Sequence, residues 1–139
     1  MGNGKVLIVE DNEDLARALE LRLRANDYQI ALAQDGVSAV AIANSQRPFA
    51  IVLDLHLSEE DGFVVMQEIH SSPGLAATPV IVVSADCSQP TQHRALAAGA
   101  HAFLEKPVNH RLLLHALRDI RMRSQKPEGG PVTACSNSR

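Results

Sequence analysis

Four short apolar runs end in polar residues, and this repeated ending constrains the fold more than any other feature of the chain. Lys5-Val6-Leu7-Ile8-Val9 runs into Glu10-Asp11, and Phe49-Ala50-Ile51-Val52-Leu53 runs into Asp54. Val80-Ile81-Val82-Val83 runs into Ser84-Ala85, and Ala102-Phe103-Leu104 into Glu105-Lys106-Pro107. Apolar runs of this length, alternating with helical patterns, predict buried parallel strands. In an open α/β sheet the ligand site lies outside the carboxyl ends of the strands. Three carboxylates, a hydroxyl and an ammonium are therefore expected along one sheet edge.

The segments between these runs read as helices and turns. Asn12 or Glu13 opens a helix whose Leu15, Leu19 and Leu23 recur on one face. A short strand follows from Gln29 to Ala33, and Asp35 can cap a second helix with Val37, Val40 and Ala41 facing inward. Gly62 to His70 reads as a third helix with a stripe of Phe63, Met66 and Ile69. Ser71 to Thr78 is a loop containing Pro73 and Gly74. Pro90 suits the first turn of a fourth helix and Gly99 its stop. A last helix is expected from about Asn109 to Met122, packed through Leu113, Leu117 and Ile120. Five βα units result, and right-handed crossovers wind them into a three-layer sandwich. The expected domain spans residues 1–123. Residues 124–139, rich in Pro and Gly, read as a flexible tail or linker.

Composition narrows the function. At 139 residues with 45% hydrophobic content the chain can bury one real core. A net charge of −3 argues against direct binding to nucleic acid or to an anionic membrane. Four aromatic residues, Tyr28, Phe49, Phe63 and Phe103, make no stacking platform for single strands. Cys87 and Cys135 lack metal spacing and read as reduced thiols of a cytoplasmic protein. Nothing reads as a signal peptide or bilayer-spanning segment. The Met1-Gly2 start hints at myristoylation, but Val6 stands where a hydroxyl is expected.

The strand ends carry a definite chemistry. Glu10, Asp11 and Asp54 repel each other unless a cation joins them. Mg²⁺ suits such a set, because it takes oxygen ligands from one or two carboxylates, phosphate and water. Lys106 adds a compact positive charge, Ser84 a donor, and the small Ala85 leaves room for a tetrahedral group. Together they form a cradle for a phosphoryl group. Asp54 is the candidate nucleophile because it sits between the other sets, and aspartyl phosphate is a known covalent state.

Glu10-Asp11, Asp54, Ser84 and Lys106-Pro107, in that order and at those spacings, resemble the receiver domain of bacterial two-component response regulators (CheY-like). Asp61-Gly62 after Asp54 matches as well. The resemblance covers roughly residues 4 to 122; each motif alone is weak, but five in register are specific. It implies a flavodoxin-like, doubly wound five-stranded parallel sheet of order 2-1-3-4-5, with helices on both faces. It implies that Asp54 accepts phosphate from a histidine kinase or a histidine phosphotransfer protein and passes the signal to a downstream protein. Mg²⁺ would be held by Glu10, Asp11, Asp54 and the backbone carbonyl of His56. Ser84 and Lys106 would hold the phosphoryl oxygens, and Ser84 with Phe103 would form the switch. Such a chain is not an enzyme beyond catalysing its own phosphorylation and dephosphorylation. Two positions depart from the pattern: Glu10, where Asp is commoner, and Ser58, where the loop usually carries proline.

Several residues have plainer readings. Phe103 fits a switch or a core plug equally. His56 reads as a solvent-facing loop residue, although it and Asp86 fall where side chains flank the phosphoryl group in the family. His110 and His115 read as surface residues. Asp11→Asn is expected to relieve carboxylate repulsion in the metal-free protein. A haloacid-dehalogenase-type phosphatase is the enzymatic rival, but His56 stands where that family needs a second Asp. A pseudo-receiver that binds partners without phosphorylation is the other rival, as is a receiver cut from a hybrid histidine kinase or longer regulator.

Overall fold

In the computed structural model, residues 2–58, 60–123 and 132–134 are described, the last three through their backbone. The strands are β1 (Gly4–Val9), β2 (Tyr28–Ala33), β3 (Ala50–Asp54), β4 (Val80–Ser84) and β5 (Ala102–Glu105). They alternate with α1 (Glu13–Arg24), α2 (Gly36–Gln46), α3 (Gly62–Ser71), α4 (Gln89–Ala97) and α5 (His110–Arg123). The five strands pair in parallel in the order β2-β1-β3-β4-β5. This is the flavodoxin-like sheet expected from the sequence. A sixth strand, β6 (Val132–Ala134), extends it by pairing in parallel with β5, inside the segment expected as a tail.

The inner strands β3 and β4 are buried from end to end because both their faces are covered, whereas edge strand β2 exposes Gln29 and Leu32. Leu7, Val9, Ile51, Leu53, Val80, Val82 and Phe103 pack with α2, α3 and α4 residues such as Ala39, Ala43, Met66, Ile69 and Ala95. Their neighbours Val6, Ile8, Val52, Ile81, Val83 and Leu104 point the other way, against Leu19 and Leu23 of α1 and Leu113 and Leu117 of α5. Successive residues of the inner strands thus feed two cores, and along Val6–Val9, Ile51–Leu53 and Val80–Val83 no position is left for a polar side chain until the strand ends.

One helix face is corrected. In α2 the inward residues are Gly36, Ala39 and Ala43, while Val37 is 80% exposed and Ala41 is exposed too. Val40 is half-buried. Apolar residues occupy both sides of this helix, so periodicity does not select a face; the small residues win because they admit close packing. His115 is exposed, but His110 is half-buried and its Nδ1 has no hydrogen-bond partner. Cys87 is disulfide-bonded, which corrects the reading of it as a reduced thiol. Separation along the chain is a poor guide here, because β6 brings a distant segment back beside β5. Cys135 itself lies outside the described residues.

Candidate functional site

Sheet register assembles the site. Val9 lies level with Leu53, so Glu10 and Asp54 leave the sheet side by side. Asp54 lies level with Val83, and Ser84 with Glu105. The Lys106 N–H donates to Ser84 O at 2.9 Å, which sets the lysine strand end against the hydroxyl strand end. The Lys106–Pro107 peptide is cis.

Each carboxylate meets a donor, as buried charge requires. Glu10 is 4% and Asp54 3% exposed. Lys106 Nζ bridges them, 3.2 Å from Glu10 Oε1 and 3.1 Å from Asp54 Oδ2. The Asn12 N–H donates to Glu10 Oε2 at 3.1 Å, and the His56 N–H to Asp54 Oδ1 at 3.0 Å. Asp11 Oδ2 accepts the Ser58 N–H at 2.6 Å. The Asp54 carboxylate is therefore oriented at both oxygens, between a cation and a backbone dipole.

The electrostatics set Glu10 apart from Asp11. Burial raises the pKa of Glu10, and the charge of Asp54 adds to it; the Asn12 N–H and Lys106 only partly oppose this. Asp11 is held below the usual carboxylate range, first by the Ser58 hydroxyl and, against a small burial cost, by the Ser58 N–H. Burial works against the charge of Lys106, but the hydrogen bond and charge of Asp54, and then Glu10, outweigh it and raise its pKa. The expectation for Asp11→Asn therefore reverses. Repulsion within the cluster falls on Glu10, whereas Asp11 is stabilised as an anion, so its neutralisation removes a favourable contact.

One oxygen from each of Glu10, Asp11 and Asp54 lies within 4.8 Å of the others. Three hard oxygens this close, with Glu10 resisting ionisation, fit a small divalent cation. The loop after β3 completes the pocket. His56–Leu57 pairs antiparallel with Glu60–Asp61 in a small hairpin. Gly62 closes it: a Cβ there would lie 2.5 Å from Leu55 Cα and 2.9 Å from Asp54 O. Only glycine lets α3 begin against the end of β3, and the Gly62 N–H bonds Leu55 O at 3.0 Å.

Ser84 is fully buried, and its hydroxyl faces the α4 loop: it accepts the Asp86 N–H at 2.9 Å and donates to Asp86 O at 3.2 Å. The Asp86 carboxylate turns into the start of α4, taking the Ser88 N–H at 2.9 Å and the Thr91 hydroxyl at 2.7 Å. These bonds, the Ser88 N–H foremost, hold Asp86 below the usual range. The His56 side chain is exposed. Phe103 is fully buried in the core on the α4 side, so its ring already points inward. Sequence reasoning missed two contributors. Ser58 donates to Asp11, and the missing proline was its only signal. Arg94 of α4 stacks over Phe63 at 4.0 Å and reaches Asp61 at 3.7 Å, which no spacing reveals.

Comparison with known proteins bears on this geometry. The model of the response regulator receiver domain matches residues 6–118. The response regulator MprA of Mycobacterium sp. (strain KMS) is 33% identical over 127 residues, which cover 91% of this chain and 54% of that protein. The response regulator PleD of Caulobacter vibrioides is 31% identical over 118 residues, 85% of this chain and 26% of that protein. The chain thus spans between a quarter and about half the length of these relatives. Among solved structures, the receiver domain of the Pseudomonas aeruginosa sensor histidine kinase PA1611, with a magnesium ion coordinated in its active-site cleft, is 32% identical. It superposes with a TM-score of 0.76 over 84% of this chain and 95% of that one.

Proposed function

This chain belongs to the response regulator receiver domain family, and from that membership we propose that it is a phosphoacceptor module switched by phosphorylation of Asp54. The observation that carries the reading is the Asp54 carboxylate itself, buried at the sheet edge between Lys106 and the acidic pair. An Asp54 oxygen attacks the phosphorus of a phosphohistidine on a histidine kinase or phosphotransfer protein. The P–N bond breaks, the imidazole leaves with a proton, and an acyl phosphate remains.

Glu10, Asp11, Asp54 and the His56 carbonyl would hold Mg²⁺, as the magnesium-bound relative supports. When bound, the cation supplies positive charge to the carboxylates and to the phosphoryl oxygens. Lys106 gives up part of its contact with Asp54 to a phosphoryl oxygen. Ser84 turns its hydroxyl from Asp86 O toward another, and that movement passes the signal to α4. Outside its own phosphorylation and dephosphorylation the chain catalyses nothing. Its output is a protein partner, not nucleic acid or a membrane surface, and its place is the cytoplasm. No described helix is long and apolar enough to cross a membrane. A second reading is favoured by the partial span of its relatives: the same module as one part of a hybrid kinase or longer regulator.

Incubation with acetyl phosphate and Mg²⁺, followed by mass spectrometry, tests the assignment. A single labelled site at Asp54, lost in Asp54→Asn and lost on chelation, is expected. Equal labelling of Asp54→Asn and the parent overturns it.

A further inference from the structure

The acidic pocket has a donor that does not come from a strand end. The Ser58 N–H reaches Asp11 Oδ2 at 2.6 Å across 47 residues of chain, joining the loop after β3 to the loop after β1. We propose that Ser58 is a positioning residue of the metal site: its N–H keeps Asp11 in the acidic cluster while no cation is present, and so sets how tightly a divalent cation binds. This rests on the reading of the site as a Mg²⁺-dependent phosphoacceptor.

Charge makes the case. Three carboxylate oxygens within 4.8 Å of one another need compensation before a metal arrives. Lys106 compensates Glu10 and Asp54 directly. Asp11 takes its compensation from Ser58, through a short charge-assisted hydrogen bond. One Asp11 oxygen is engaged by that bond, which leaves the other for a cation. The base from which Ser58 reaches is fixed independently. Glu60 Oε1 accepts the Gly36 N–H at 2.6 Å and so anchors the hairpin on α2. Asp61 Oδ1 accepts the Phe63 N–H at 2.8 Å and anchors it on α3. Ser58 thus presents its N–H from a braced loop, as outer partners of metal ligands do when they orient first contacts. A proline at this position would have no N–H to give.

Two variants and one amide test the proposal. Ser58→Ala keeps the N–H, and Ser58→Pro removes it. Mg²⁺ is titrated into isotopically labelled protein and followed through the Asp11 amide, with circular dichroism confirming the fold. Ser58→Ala, which loses the hydroxyl that also stabilises the Asp11 anion but keeps the N–H, is expected to bind more weakly than the parent but by less than Ser58→Pro. Ser58→Pro is expected to bind on the order of tenfold more weakly, the lower end for loss of an outer-shell partner. Parental affinity in Ser58→Pro, or equal losses in both variants, overturns the role of the N–H. Independently of how Ser58→Pro folds, the Ser58 amide of the metal-free parent should resist hydrogen exchange, and Asp11→Ala, which removes the acceptor, should abolish that resistance. A fast-exchanging Ser58 amide overturns the proposal. Failure of the parent to bind Mg²⁺ at millimolar concentration would instead remove the metal-dependent reading, while the amide measurement still decides whether the clip exists.

Discussion

Glu10 and Asp11 are adjacent in the chain and respond to pH in opposite ways. The folded state raises the pKa of Glu10, so its contribution to stability is full below pH 4.5 and is lost as pH rises through the folded value. Asp11 is lowered, so its contribution is present above pH 3.8 and is lost as pH falls through the folded value. In metal-free protein, Glu10→Gln should flatten the decline in urea midpoint as pH rises above 4.5, whereas Asp11→Asn should lower the midpoint at pH 7. A more stable Asp11→Asn would contradict the account of Ser58. His56 belongs to the same scale. With the Asp86 carboxylate turned into α4, shielding of a phosphoryl group on Asp54 would fall to the exposed His56. His56→Ala should therefore lose its phosphoryl group faster than the parent when decay is followed from pH 6 to 8. Slower decay would mean that His56 places the attacking water, and identical decay would leave it an exposed loop residue.

Among the helices, α4 is rooted differently from the rest. Asn12, Asp35, Asp61 and Asn109 cap the other four from the position just before each helix. Ser88 makes no such side-chain bond at α4, and Asp86 does the work from two residues further out. The same residue holds the Ser84 hydroxyl through its backbone, so any movement of Ser84 would act on the joint that anchors α4. Only Gln92 and Ala95 of α4 are buried, which leaves little packing to resist a shift. On its outer side Arg94 ties α4 to Phe63 and Asp61. The start of α3 is built the opposite way, with no freedom. Gly62→Ala would drive a methyl group into the backbone of β3, at a cost of about 1–3 kcal/mol by the usual size of overpacking. Urea unfolding should show that loss, and the displaced loop should slow phosphorylation by acetyl phosphate.

Across the whole molecule, the site lies at one edge of a sheet with two separate cores, and a signal from the proposed phosphorylation would have to leave by one side. Ser84, Phe103 and α4 adjoin the core that contains Leu53 and Ala95. Because Phe103 is already buried, an inward swing of its ring is not available as the response, and α4 is the element left to move. Beryllofluoride with Mg²⁺ mimics the phosphoryl group and should perturb NMR signals of α4 and of the following loop at His101 more than those of α1 and α5. The coupling at stake is about 1–3 kcal/mol, the ordinary size for linked sites. Perturbation confined to Glu10, Asp11, Asp54 and Lys106 would show that no such coupling exists.

The strands and the site could be read from the chain, while the choice of partners could not. A strand covered on both faces has to be apolar to its end, so Val6–Val9, Ile51–Leu53 and Val80–Val83 announce themselves, and the polar residues that follow them have to lie at the edge. Glu10, Asp54, Ser84 and Lys106 were legible for that reason. The inward face of α2 was not, because Val37 and Ala39 are both apolar and only packing distinguishes them. Neither were Ser58 on Asp11, Asp86 on α4, or β6 on β5. The Ser58 bond joins two loops and the β6 pairing a distant segment to an edge strand; Asp86 lies near its partners in sequence, but its direction depends on a side-chain torsion. Periodicity records which positions meet a core, and tertiary structure alone decides which polar groups come within hydrogen-bond reach.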